Sequence, residues 1–109
     1  MTSQAKVPCS RITHENTPVS EGFGVFDGKG KEVGARAYSC TTEFVPNGQA
    51  DGYVSVPGVY YFANVQMTRG GSDFGASHRA HRFDTAAERD TYIVKQMAVS
   101  RKNAVKKYA

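Results

Sequence analysis

Strict alternation marks residues 58–69 as the clearest strand in the chain. Val59, Tyr61, Ala63, Val65 and Met67 form one unbroken apolar face, and Tyr60, Phe62, Asn64, Gln66 and Thr68 form the other. Upstream, residues 21–27 set Phe23, Val25 and Phe26 among glycines and run into Asp27-Gly28-Lys29-Gly30. That tetrad predicts a hairpin, because Gly and Asp accept the positive φ angles of tight turns. The returning strand spans about 31–45, and its apolar phase changes partway. Val33, Ala35 and Ala37 keep one parity, whereas Tyr38, Cys40, Thr42 and Phe44 keep the other. A one-residue slip of this kind predicts a β-bulge or bend near residues 37–39. Residues 46–52 read as a loop, 53–56 as a short strand, 69–73 as a loop, and 74–83 as the last strand.

The helical period takes over at Thr85-Ala86-Ala87-Glu88, which has the spacing of a capping box. Acids fall in the first turns and bases in the last, as the helix dipole prefers. A helix from there to Lys107 is about 35 Å long at ~1.5 Å per residue. Ala86, Ile93, Met97, Ala104 and Tyr108 line one side, with Val94, Ala98 and Val105 widening it. This stripe is expected to cover the Val59–Met67 face. Arg101 falls inside the stripe, which predicts a helix whose last two turns project past the core. Lys95, Lys102 and Lys106 form a ridge on the opposite side.

Residues 1–20 are polar, carry Pro8 and Pro18, and show no period. They read as a polar N-terminal arm, flexible or loosely paired with a sheet edge. The expected fold class is therefore α+β: an antiparallel β-meander of about four strands packed on one long C-terminal α-helix, with residues 21–109 as a single domain. The pattern leaves the strand order open.

Composition agrees with one core: 109 residues, 39% of them hydrophobic, fit a single domain. No apolar leader segment and no run long enough to cross a bilayer is visible, so a cytoplasmic protein without a membrane partner is expected. Cys9 and Cys40 are too few for a disulfide framework, and free thiols fit a reducing compartment better than a Cys9–Cys40 bridge. The net charge of +4 is unevenly placed. Residues 1–84 balance eight Lys/Arg against eight Asp/Glu, while residues 85–109 hold six Lys/Arg against Glu88 and Asp90.

Catalytic and metal chemistry find little support. His78 and His81 are three apart and point to opposite faces of a strand, so they do not share an ion. His14-Glu15 lacks the second His of a metalloprotease helix, and Gly28-Lys29-Gly30 lies between strands rather than before a helix N-terminus. Cys40 could meet a histidine across the sheet, but nothing marks it as activated. We therefore expect a protein that is not an enzyme, with no cofactor, metal ligand or catalytic residue.

Basic residues give the chain its candidate partner. Arg69, Arg79 and Arg82 precede or occupy the last strand, and Lys95, Arg101, Lys102, Lys106 and Lys107 lie on the helix. Such clusters bind phosphates by neutralisation and counterion release. Tyr60 and Phe62, on the strand face away from the helix, can stack unpaired bases if that face is open. A protein-directed reading uses the same exposed face or an edge strand for a partner or a second copy.

The run from Tyr61 to Lys107, with Gly75-Ala76, Arg82-Phe83-Asp84-Thr85, Glu88-Arg89 and its lysine-rich end, looks like small proteins of bacterial phages and mobile elements. In general form it is similar to compact phage-encoded inhibitors, including anti-CRISPR proteins. The likeness implies binding or inhibition rather than metabolism, and it carries no site residues. The expected function is a non-catalytic basic binding protein that contacts nucleic acid or a nucleoprotein complex. The alternative is an inhibitor or adaptor acting through protein contacts.

Overall fold

The computed structural model describes residues 5–49, 51–74 and 80–109. Among the described residues, seven strands form one antiparallel sheet: β1 (Val7–Glu15), β2 (Val19–Phe26), β3 (Glu32–Pro46), β4 (Gly52–Val54), β5 (Gly58–Arg69), β6 (Ser72–Asp73) and β7 (His81–Phe83). One helix, α1 (Ala86–Tyr108), follows them and packs on β5, β3, β2 and β7. The expected meander of four strands corresponds to β2, β3, β5 and β7. Of the last strand expected at 74–83, residues 81–83 are strand and 75–79 lie outside the described residues, while Ser72 and Asp73, expected in a loop, pair with β5 as β6. None of the described helices is long and apolar enough to cross a membrane.

The 15-residue β3 organises the sheet. One edge pairs with β5 from Val33↔Arg69 to Phe44↔Gly58 without a slip. The other edge is shared: β2 pairs with its first half and β1 with its second. Of the two forms expected for the N-terminal arm, flexible or loosely paired with a sheet edge, residues 7–15 take the second, as a full strand, and β4 pairs with its start at Val7–Cys9. Their polar composition misled because this strand is an edge element, with most side chains exposed.

β1 and β2 run in the same direction, one after the other, along β3. From Glu15↔Cys40 to Val19↔Ala37 this line takes four steps against three on β3, so one residue is extra. The break at residues 16–18 is pinned by Asn16, whose backbone N donates to Ser39 O at 2.9 Å and whose Nδ2 donates to Ser39 Oγ at 2.9 Å. The irregularity expected in β3 near residues 37–39 lies on the neighbouring line instead. The phase change in β3 has another cause: α1 covers Val33, Ala35 and Ala37, and beyond them the better-buried residue, Thr42, faces the other side.

Under the helix, Phe23, Val25, Val33, Ala35, Ala37, Met97 and Ala104 form the core, with Val65, Met67, Ile93 and Tyr108 against it. Thr85 caps α1 by accepting the Glu88 N–H on its Oγ1 at 3.1 Å. Ala104 and Tyr108 still touch the core, so the last turns do not project past it, contrary to the expectation from Arg101. Arg101 is accommodated at the rim of the stripe, paired with Glu21, its guanidinium 5.3 Å from the Phe23 ring centre. The stripe widens towards Tyr92 and Gln96 rather than towards Val94 and Val105, which are exposed.

Tight turns set the registers. Asp27 Oδ1 accepts the N–H groups of Lys29 and Lys31 at 2.8 and 2.9 Å and closes the first hairpin. Gly70 and Gly71, at φ +60° and +84°, form the two-residue turn between β5 and β6, a conformation other residues adopt only with strain. Gly34 is required differently: a Cβ there would lie 2.2 Å from Glu21 O on the paired strand.

Past the helix, β1, β4 and the adjoining ends of β3 and β5 extend as a wing. Its helix-side face exposes Ile12, Val45, Tyr53 and Val59. The molecule measures 53 × 28 × 24 Å, and its radius of gyration of 17.4 Å exceeds the ~13 Å of a compact chain this long. Cys9 and Cys40 are both free. Cys9 is opposite Pro46, six residues along β3 from Cys40, about 20 Å at ~3.3 Å per residue and out of disulfide reach.

Candidate nucleic-acid interface

The ridge on α1 follows directly from helical spacing. Lys95, Lys102 and Lys106 fall within about 40° of one another at 100° per residue, opposite Met97. All three are exposed, as is Lys107. Along the axis the three are spaced by about 10 Å and 6 Å. Among the described residues, none of the lysines of α1 forms an ion pair.

The arginines are used differently. Arg36 donates to Ser20 Oγ (2.9 Å), Asp73 Oδ1 (2.9 Å) and Gly71 O (2.7 Å), tying β2, β3 and the β5–β6 turn together. Arg69 sets its Nε 3.0 Å from Asp27 Oδ2 and its guanidinium 4.2 Å from the Phe74 ring centre. The Nε–H is not aligned on the carboxylate, so this contact is ionic rather than a hydrogen bond. Asp27 is nearly enclosed, and its carboxyl is held below its ordinary value of 3.8, first by the Lys31 backbone N–H; burial opposes this, and the Lys29 N–H, Arg69 and Lys31 charge assist. Arg89, which sequence reading passed over, is buried under α1 and donates to Thr41 Oγ1 at 3.1 Å and Cys40 O at 3.4 Å. Its place in the apolar stripe, three residues before Tyr92 and four before Ile93, was the available signal.

Tyr60 and Phe62 do face away from the helix, as expected. Tyr60 is already engaged: Phe44 meets it edge-on at 5.6 Å, the Arg82 guanidinium is 4.6 Å from its ring centre, and its hydroxyl donates to Val56 O. Phe62 instead lines a cavity with Glu15, Tyr38, Cys40 and Asn64. His81 turns the other way and lies 5.1 Å from the Tyr92 ring. His78 and Arg79 lie outside the described residues.

The sheet therefore divides the sequence-predicted site. Lys95, Lys102 and Lys106 are on the outer side of α1, whereas Tyr60, Phe62 and Arg82 are on the far face of the sheet. Arg69 and Arg101 are held by Asp27 and Glu21. Among the described residues no three His, Cys, Asp or Glu side chains gather as metal ligands.

The fold and site define a small antiparallel sheet backed by one lysine-ridged helix. No family model, curated protein or solved structure matches the chain.

Proposed function

We propose that this chain is a non-catalytic nucleic-acid-binding protein that contacts the phosphate backbone through the outer side of α1. One observation carries the reading: among the described residues every ion pair employs an arginine, and Lys95, Lys102 and Lys106 of α1 are left to solvent. Arginine has the structural work of holding carboxylates, and the helix keeps a row of point charges suited to phosphate. The ridge reads charge rather than sequence, because it brings no side chain fitted to a base edge. A phage or mobile element, acting in the cytoplasm of its bacterial host, is the setting we assign to it.

The test is anisotropy with labelled duplex DNA, single-stranded DNA and RNA over a salt series. Replacing Lys95, Lys102 and Lys106 together by Gln is expected to flatten the salt slope by about 3, about one per phosphate contact. Absence of binding at low salt, or binding indifferent to the triple replacement, refutes the reading.

The wing supports a second reading, an inhibitor or adaptor directed at a protein. Ile12, Val45, Tyr53 and Val59 expose apolar surface on one face without cover from the helix. Such a contact persists at high salt and is lost on Ile12→Asp or Val59→Asp, a response opposite to that of the ridge.

A further inference from the structure

The far face of the sheet holds a cavity of about 240 Å³ that the lysine ridge does not use. Register sets its floor. Glu15 pairs with Cys40, Cys40 with Phe62, and Phe62 with Arg82, so these four stand in one row across four strands. In the next row Tyr38 pairs with Asn64, and the break between β1 and β2 adds Asn16 and Pro18 as a wall. Two aromatic residues thus lie in adjacent rows beside the Glu15 carboxylate and the Asn64 amide, with a second amide, Asn16, in the wall.

The polar groups differ in how far they are committed. The Tyr38 hydroxyl donates to Asp73 Oδ2 at 2.5 Å and accepts from Arg36 at 3.3 Å, and Asn16 is bound to Ser39. Those contacts make rigid walls. The side chains of Glu15, exposed at the cavity rim, and Asn64, half-buried, make no hydrogen bond or ion pair among the described residues, so both are available to a molecule that enters. The volume is below the ~300–1,000 Å³ of sites for drug-sized ligands, which fits a group of one or two rings.

We propose that this cavity binds a guanine base. An aromatic floor favours a flat ring system, and an ionised carboxylate only accepts hydrogen bonds. Guanine presents two adjacent donors, N1–H and the N2 amino group, which match the two oxygens of Glu15. Its O6 accepts from the Asn64 amide. Adenine places a bare acceptor, N1, where the carboxylate needs a donor, and leaves that oxygen unmatched. The inference stands on the face opposite the ridge and does not rest on phosphate binding by α1.

Cys40 on the cavity floor supplies the readout. N-ethylmaleimide labelling of Cys40 is followed by mass spectrometry, with the fully buried Cys9 as an internal check that the protein stays folded. GMP is expected to slow Cys40 labelling, ribose 5-phosphate to leave it unchanged, and AMP to need at least about tenfold higher concentration. Glu15→Gln is expected to erase the preference for GMP, and Phe62→Leu to weaken both nucleotides while Tm shows a folded protein. Single-stranded oligonucleotides with one central G or A form a second arm. Protection by GMP assigns the site to a free nucleotide, and protection by the G oligonucleotide alone assigns it to an unpaired base in a strand. The proposal is overturned if neither protects Cys40 at millimolar concentration, or if the preference survives Glu15→Gln. GMP seated in the cavity cannot reach the ridge across the sheet, and Cys40 reports on the cavity alone, so this result is independent of the salt titration.

Discussion

Asp27 shows how much one side chain can organise. It closes the β2–β3 hairpin through two backbone N–H groups and anchors Arg69 of β5. A carboxyl held below 3.8 when folded contributes stability that is complete above that value and is lost as pH falls through the lower folded value. Asp27→Asn is therefore expected to lower Tm at neutral pH, and the gap from the parent protein to close on acidification below about 3.8. Paired thermal melts from pH 7 to pH 2 check this; a gap that stays constant would mean the carboxylate charge contributes nothing. The turn itself was legible, since Asp-Gly-Lys-Gly announces it. The Arg69 contact was not, because it joins residues 42 positions apart whose proximity depends on the pairing of β3 with β5.

At the scale of elements, α1 tests which side of an amphipathic stripe is covered. Sequence pattern centres the stripe on Met97 and admits Val94 at its margin, but Met97 is 9% exposed and Val94 72%. Met97→Ala is expected to cost about 2–5 kcal/mol, as for other buried Met truncations. Val94→Ala is expected to stay within about 0.5 kcal/mol. Urea denaturation of the two variants makes the comparison. The helix start, its inward face and the alternation of β5 could be read directly, because each depends on local spacing. The two-sided character of β3 could not. Its phase change records which face is covered at each end, and that depends on where a helix 40 residues later comes to rest. The regularity of β1, expected only as a loose edge pairing, went unread for a related reason: an edge strand with little buried surface carries almost no apolar signal.

For the whole molecule, the main consequence of the fold is that the sheet separates functions that sequence reading had combined. Sequence reading assigned the basic residues and the aromatics to one partner, although they stood on different faces. In three dimensions the lysines lie outside the helix, the arginines are largely spent on internal contacts, and Phe62 belongs to a cavity behind the sheet. Parity along β5 already placed Tyr60 and Phe62 away from the helix; the cavity needed Glu15 as well, from the strand read as an arm.

The break at residues 16–18 has a further consequence for solubility. Without that break, β1 and the first part of β2 would make one continuous strand whose outer edge, from Ser10 to Gly22 where β2 bulges, pairs with nothing among the described residues. An uninterrupted edge of that length is a template for stacking one molecule on another. The extra residue and Pro18 deny incoming chains a continuous ladder. Deleting Thr17 and replacing Pro18 by Thr leaves both halves paired to β3 as before, since each has its own register. The doubly altered protein is expected to fold with a similar Tm and to precipitate on standing, followed by light scattering, where the parent stays clear. The kink at residues 16–18 is in this sense a guard against fibre growth.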